Sequence, residues 1–128
     1  MSKEKTMSEQ KKLVVVNSRG FDDERSSVAW SIANTAAASD MNVTMFLVAA
    51  GVDWVRKGAL EVARLNPLDP TIGDMVESFL GNGGRIIVCP PCAKVRGYDE
   101  DSLIDGATLA GAPVMLAEIQ AGGSALSF

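Results

Sequence analysis

Cys89 and Cys92 are the only thiols in the 128-residue chain, and they sit in R-I-I-V-C-P-P-C-A-K-V-R-G-Y, residues 85–98. A thiolate is a strong nucleophile, and two thiols at C-x-x-C spacing suit sulfur transfer or thiol–disulfide exchange. The chain contains no histidine. That excludes Ser-His-Asp and Cys-His catalysis, as well as imidazole-ligated metals within one chain. Any general acid or base must be Asp, Glu, Lys, Tyr or a second thiol.

The flanking residues say how such a thiol would be activated. Ile86, Ile87 and Val88 form an apolar, β-branched run that stops at Cys89. With Cys89 as the N-cap of a following turn, Pro90 and Pro91 take the first two helical positions, where no amide is needed. The Cys92 amide is then the first free donor within reach of the cap side chain. Lys94 and Arg96 add positive charge, and together these features depress a thiol pKa. A residue before proline resists the helical region, so a turn starting at Pro91 is the other option. Two alternatives stand beside this reading. One is an inert, partly buried cysteine pair. The other is a zinc half-site completed across a subunit interface, since two thiolates are half of the usual four ligands. The candidate catalytic residues are Cys89 and Cys92. No metal site within the chain and no cofactor are expected.

These residues need a scaffold. Leu13–Val16 reads as a first strand, buried on both faces because it does not alternate. A helix is expected over Glu24–Ser39, with Asp23 as N-cap. Val28, Ile32 and Ala36, and Ala29, Ala33 and Ala37, recur on it at helical spacing. A second strand covers Val43–Ala50. Ala59–Leu65 reads as a short helix and Thr71–Leu80 as a longer one. The third strand is Arg85–Val88, followed by a helical turn from Pro90 to about Val95. A helix is expected over Asp99–Ala110, and a last strand over Val114–Ile119 behind Pro113. The alternation predicts an α/β fold: a three-layer α/β/α domain with a mostly parallel sheet of four to five strands and helices on both faces. Residues 1–11 read as a flexible N-terminal tail, 12–120 as a single domain and 121–128 as a loose C-terminal tail.

In such a sheet, ligands gather beyond the carboxyl ends of the strands. The loops expected there are 17–23, 51–58, 89–97 and 120 onward. In the first, Asn17 and Ser18 are candidates to hydrogen-bond a small ligand, against plain turn chemistry. In the second, Trp54 is a candidate lid and Arg56 and Lys57 are candidate anion contacts, against a surface or subunit-contact loop. G-N-G-G at 81–84 closes a helix and precedes a strand, the wrong order for a phosphate cradle.

Composition narrows the class. Hydrophobic residues are 47% and aromatics only 5%, so the core must be largely aliphatic. The net charge is −4 and the basic residues form no stripe, so no nucleic-acid partner is expected. The N-terminus is charged and lacks an apolar h-region, and Val43–Val52 is too short to span a membrane. A cytoplasmic protein without membrane attachment is expected. In that compartment C-x-x-C is a redox or metal motif before it is a staple.

The chain resembles the DsrE/DsrF-like family of sulfur-relay proteins over most of residues 12–119. The resemblance is carried by K-L-V-V-V-N-S, A-A-G-V and, most specifically, V-C-P-P-C-A-K-V-R-G-Y followed by D-S-L-I-D-G-A. It implies a small α/β/α domain assembled as a homo-oligomer, a trimer or hexamer. It also implies a cysteine-persulfide carrier, or sulfurtransferase, that takes sulfur from a donor protein and passes it to an acceptor protein. The family's sulfur-carrying cysteine lies eight residues before the R-G glycine, which is Cys89 here. Cys92 is an addition to the single-cysteine pattern and opens an internal disulfide. Lys94, Arg96, Asn17 and Ser18 are the expected binding residues. Two other readings remain: a dithiol–disulfide redox protein using Cys89 and Cys92, and a non-catalytic oligomeric binding module. Trp54, Phe128, Met41, Met45 and Met75 are either subunit contacts or ordinary core.

Overall fold

The computed structural model describes residues 10–61 and 70–128. Five strands form one parallel sheet: β1 Lys12–Asn17, β2 Asn42–Leu47, β3 Arg85–Val88, β4 Ala107–Leu109 and β5 Ser124–Ser127, in the order β4-β3-β2-β1-β5. Among the described residues four α-helices accompany them: α1 Arg25–Ala38, α2 Ile72–Gly81, α3 Pro90–Lys94 and α4 Ala112–Gln120. The expected three-layer α/β/α architecture is the one observed.

Strand alternation divides the core in two. Leu13, Val15, Val43, Met45, Leu47, Ile86 and Val88 face α1 and α2, and Val14, Phe46 and Ile87 face α4 through Met115 and Ile119. Helix α1 lies flat because Ala29, Ala33, Ala36 and Ala37 bring its backbone close to the sheet. Trp30 fills the space toward Phe79, edge to face at 6.0 Å. Burying a side chain of that size contributes about 1.5–3 kcal/mol, offset in part by its buried indole N–H, which has no partner among the described residues. The alanine stripe is the buried one, whereas Val28 of the parallel stripe is exposed. Met45 and Met75 are core residues and Met41 is half-buried against them.

Several boundaries differ from the sequence reading. The second strand stops at Leu47 because Ala49 turns into the left-handed region (φ 49°), and a 3-10 segment follows over Ala49–Val55. The helix expected from Ala59 is a 3-10 turn over Ala59–Glu61, and the rest of that stretch lies outside the described residues. Glu24, not Asp23, is the N-cap of α1, while Asp23 Oδ1 accepts from the Arg25 amide at 3.0 Å. For α2, Thr71 caps the start by accepting from the Asp74 amide at 3.1 Å.

The largest corrections lie after residue 98. The expected helix over Asp99–Ala110 is a 3-10 turn, Glu100–Ser102, followed by β4. Asp99 caps that turn, and Gly106 then adopts φ 93°, which ends any helical path and starts a strand. The expected strand over Val114–Ile119 is α4, with Gly111 as N-cap and Pro113 in the first turn. Met115 and Ile119, four apart, form its sheet-facing stripe. The expected loose tail contains β5, which pairs in parallel with β1 from Leu13↔Ser124 to Val16↔Ser127.

Register aligns the strand ends. Asn17 pairs with Leu47, Leu47 with Val88 and Val88 with Leu109, so four strands end in one row. Residues 121–123 precede β5 and so lie at the opposite edge. The loop after β4, Ala110–Gly111, replaces them at the carboxyl edge.

Candidate functional site

The row just past the strand ends is built by the backbone. The Val48 amide donates to Asn17 at 3.1 Å, the Cys89 amide to Leu47 at 3.0 Å, and the Ala110 amide to Val88 at 3.1 Å. Cys89 is therefore fixed by its own amide. Its side chain continues the alternation of β3 onto the α4 side, beside Val16, Val48, Ala110 and Met115. Gly111 reaches Pro90 here, with 3.9 Å between Pro90 Cδ and the position of a Cβ on the glycine.

The turn that follows is the expected one. Cys89 is the N-cap of α3 and the prolines occupy its start. The Ala93 amide closes the turn onto the Cys89 carbonyl at 3.0 Å, and Ala93 is buried. Cys89 and Cys92 are both free thiols and both half-buried. Cys92 packs into the other core, beside the α1 and α2 layer.

The electrostatics depart from the sequence expectation. Burial pushes the Cys89 thiol up, and the adjacent Cys92 side chain pushes it further. The Cys92 amide acts in the opposite sense but does not prevail, and it forms no full capping hydrogen bond to the sulfur. Neither Lys94 nor Arg96 is among the groups that move this thiol. Lys94 is exposed. Arg96 turns away: its Nη1 donates to the Cys92 carbonyl at 3.0 Å and its Nε lies 3.6 Å from Asp53 Oδ1. Asp53 also accepts from the Tyr98 hydroxyl at 2.6 Å. Burial first, then Asp53, raises the Tyr98 pKa. The Lys57 amide donates to Ser102 and the Ile104 amide to Val55, both at 2.9 Å, so the 51–58 loop clasps the segment after α3.

Asn17 and Ser18 share the row with Cys89 but are committed elsewhere. Asn17 is fully buried, faces the α1 side by alternation, and accepts from the Arg19 amide at 3.0 Å, while its Nδ2 has no partner among the described residues. The Ser18 hydroxyl and amide both donate to the Phe128 carbonyl, at 2.7 and 3.1 Å. Trp54 is no lid. It is fully buried, and its indole N–H donates to the Arg19 carbonyl at 2.8 Å and to Ser26 Oγ at 3.1 Å. Arg56 and Lys57 are exposed.

The structure places Cys89 and Cys92 in one turn with their side chains on different cores, and neither Lys94 nor Arg96 acts on the Cys89 sulfur. The sequence did not reveal Asp53, Tyr98 or the Ala110–Gly111 loop. Asp53 and Tyr98 are far apart in the chain, and the Ala110–Gly111 loop was hidden by the misread strand behind it. Among the described residues no group of three or more His, Cys, Asp or Glu is arranged to hold a metal. No helix among them is long and apolar enough to cross a membrane.

Comparison with known proteins gives one family and one fold. A model of the DsrE/DsrF-like family matches residues 10–128. MJ0760 of Methanocaldococcus jannaschii, described as uncharacterized, is 31% identical over 105 residues, 81% of this chain but 38% of that protein. The chain thus spans well under half of that relative. The similarly described MK0008 of Methanopyrus kandleri is 32% identical over 98 residues, 76% of each chain. Among solved structures, the ychN protein from E. coli aligns with a TM-score of 0.72 at 22% identity, covering 93% of this chain and 99% of that one. MTH1491 from Methanobacterium thermoautotrophicum, a protein of unknown function, aligns with a TM-score of 0.71 at 16% identity over 94% and 100%. At these identities the two structures establish the fold.

Proposed function

The chain belongs to the DsrE/DsrF-like family, and from that premise we propose that it is a cysteine-persulfide sulfur carrier of an intracellular sulfur relay, with Cys89 as the sulfur-bearing residue. One observation carries the reading. Cys89 is a free, half-exposed thiol fixed at the carboxyl end of β3, in the row where parallel sheets receive their ligands. The Cys89 thiolate attacks the outer sulfur of a donor persulfide, the donor's S–S bond breaks, and the donor thiolate leaves. With its pKa raised, Cys89 acts when a partner or base takes its proton.

The donor and acceptor are expected to be proteins. Ser18, beside the Cys89 row, is the proposed contact for the incoming group, and Asn17, buried on the α1 side, is proposed to brace that row from beneath. Lys94 and Arg96 are proposed contacts for a partner's surface. The exposed Val114 and Leu116 of α4 favour self-association, and a trimer or hexamer is the proposed state, checked by sedimentation. A cytoplasmic location follows from the relay reading and is tested by fractionation.

Intact mass after incubation with a sulfane donor tests the proposal. A gain of about 32 Da, one sulfur atom, that vanishes in Cys89→Ala is expected. No Cys89-dependent gain under any donor overturns it. A dithiol–disulfide redox role is the second reading, favoured by two free thiols at the N-cap and third position of one turn. A non-catalytic binding module is the reading left if neither thiol reacts.

A further inference from the structure

We propose that this site does not only carry sulfur but reduces it. Cys92 attacks the Cys89 persulfide at its inner sulfur, closing a Cys89–Cys92 disulfide and releasing hydrosulfide. This rests on the persulfide reading of Cys89.

The geometry comes first. Cys89 and Cys92 occupy the N-cap and third position of one short turn. An N-cap side chain can reach the third helical residue, and a disulfide needs the two Cβ atoms within roughly 3.5–4.5 Å. The prolines between them fix two φ angles, and the Ala93 amide ties the turn at 3.0 Å, so the backbone spacing of the two cysteines is held, and closure needs only the side chains, which pack on opposite cores, to rotate toward each other. The Arg96 guanidinium holds the Cys92 carbonyl at 3.0 Å and Asp53 backs it, which anchors the attacking residue from behind. An intramolecular nucleophile held this way outcompetes an external acceptor by its effective concentration.

Leaving-group chemistry sets the direction. A persulfide on Cys89 has two electrophilic sulfurs. Attack at the outer sulfur hands it on and expels the Cys89 thiolate, whereas attack at the inner sulfur expels hydrosulfide. The lower-pKa group leaves faster, and hydrosulfide comes from a stronger acid than an alkyl thiol. Burial and the Cys92 side chain push the Cys89 thiol up, which makes its thiolate the poorer leaving group of the two. No cation lies among the groups that would offset this.

The step balances. The Cys92 thiolate forms a bond to Cys89 Sγ, and the bond from Cys89 Sγ to the sulfane sulfur breaks. Its electron pair leaves with that sulfur as hydrosulfide. The sulfane sulfur is reduced by two electrons and the dithiol is oxidised to the disulfide. A further turnover needs an external dithiol reductant.

The test uses the full-length reduced protein and a stoichiometric amount of glutathione persulfide, quenched over time by alkylation and weighed intact. In the wild type, the adduct of about 32 Da is expected to be transient. It gives way to a species about 2 Da lighter than the dithiol, with about one sulfide per chain. Cys92→Ser and Cys92→Ala are expected to hold the adduct on Cys89 and release less than about a tenth of that sulfide. If the wild type keeps its adduct as long as the Cys92 variants do and releases no sulfide, the reduction is overturned and the carrier reading stands. If no Cys89-dependent adduct forms in any of the proteins, both fall.

Discussion

Arg96 Nη1 donates to the Cys92 carbonyl oxygen at 3.0 Å, so the cation next to the thiol pair in sequence supports the turn from behind and leaves the sulfur alone. Asp53 holds it there, 3.6 Å from Arg96 Nε, while also accepting from Tyr98 at 2.6 Å. A five-residue helix that begins with two prolines has little stability of its own. The clasp to the 51–58 loop is what fixes it.

Removing Asp53 tests the clasp. Asp53→Ala loses both contacts and is expected to destabilise by about 1 kcal/mol, a charged hydrogen bond discounted for exposure. Asp53→Asn keeps an acceptor for Tyr98 and should cost roughly half as much. Tyr98 is the only tyrosine, so ultraviolet titration reads it directly. Burial and Asp53 raise its pKa, so either variant should bring the titration down toward the ordinary tyrosine value, Asp53→Ala further. An unchanged titration would contradict the contact.

The Cys89 thiol gives a second test. Burial and the Cys92 side chain raise its pKa, while the Cys92 backbone amide lowers it. Cys92→Ala deletes the side chain and keeps the amide, so the Cys89 pKa should fall. Alkylation at neutral pH should then run faster per thiol than Cys89 alkylation in the wild type, because rate follows the thiolate fraction. Mass mapping of a pH series gives both curves. Equal midpoints would mean that burial alone sets the value.

What was legible in the sequence followed the distance over which the signal acts. Arg85–Val88 and the turn after it were read correctly, because an apolar run, a cysteine and two prolines are local signals. The strand–helix exchange after residue 98 was misread because Val114, Met115, Leu116 and Ile119 suit a strand by type. Only the sheet face they cover, Val14, Phe46 and Ile87, makes them a helix. Strand β5 has no apolar run of its own and exists because the edge of β1 is free to pair. At the site, the C-x-x-C pair was visible. The fate of Arg96 was not, because its partner Asp53 is 43 residues away and sits in a loop without periodicity.

An ion triad under α4 gives the pH dependence. Glu118 lies 2.8 Å from Arg85 and 3.4 Å from Lys12, with Arg85 also donating to Thr44 Oγ1 at 2.8 Å. The Arg85 hydrogen bond, against burial and with help from Lys12, lowers the Glu118 pKa. A depressed carboxylate stabilises the fold above its unfolded pKa, about 4.3 for Glu, and that contribution disappears as pH falls through the lower folded value. Glu118→Gln should therefore cost about 0.5–1 kcal/mol at neutral pH and flatten the acid limb of the stability curve. Urea unfolding across pH 3–7 checks it (about this range, from the carboxylate values), and parallel curves would contradict the pair.

Gly51 tests whether the row of strand ends acts as one unit. A Cβ on Gly51 would stand 2.2 Å from the Asn17 carbonyl oxygen and 3.0 Å from its carbon, both backbone atoms that cannot swing aside. That same oxygen accepts the Val48 amide at 3.1 Å, and the strand that carries Val48 in turn accepts the Cys89 amide through Leu47. Gly51→Ala must therefore push the first row contact apart, and overpacking of this kind costs about 1–3 kcal/mol, with the upper end expected against backbone. Gly81→Ala is the control. Nothing lies within 4 Å of its Cβ position at the end of α2, so it should be neutral or stabilise by up to about 1 kcal/mol. Thermal unfolding separates the two variants. At a temperature where both are folded, alkylation of Cys89 in Gly51→Ala should also change, since Val48 packs on the same side as the thiol. A Gly51→Ala protein with wild-type stability and wild-type Cys89 reactivity would show that the loops after β1 and β2 are not in backbone contact.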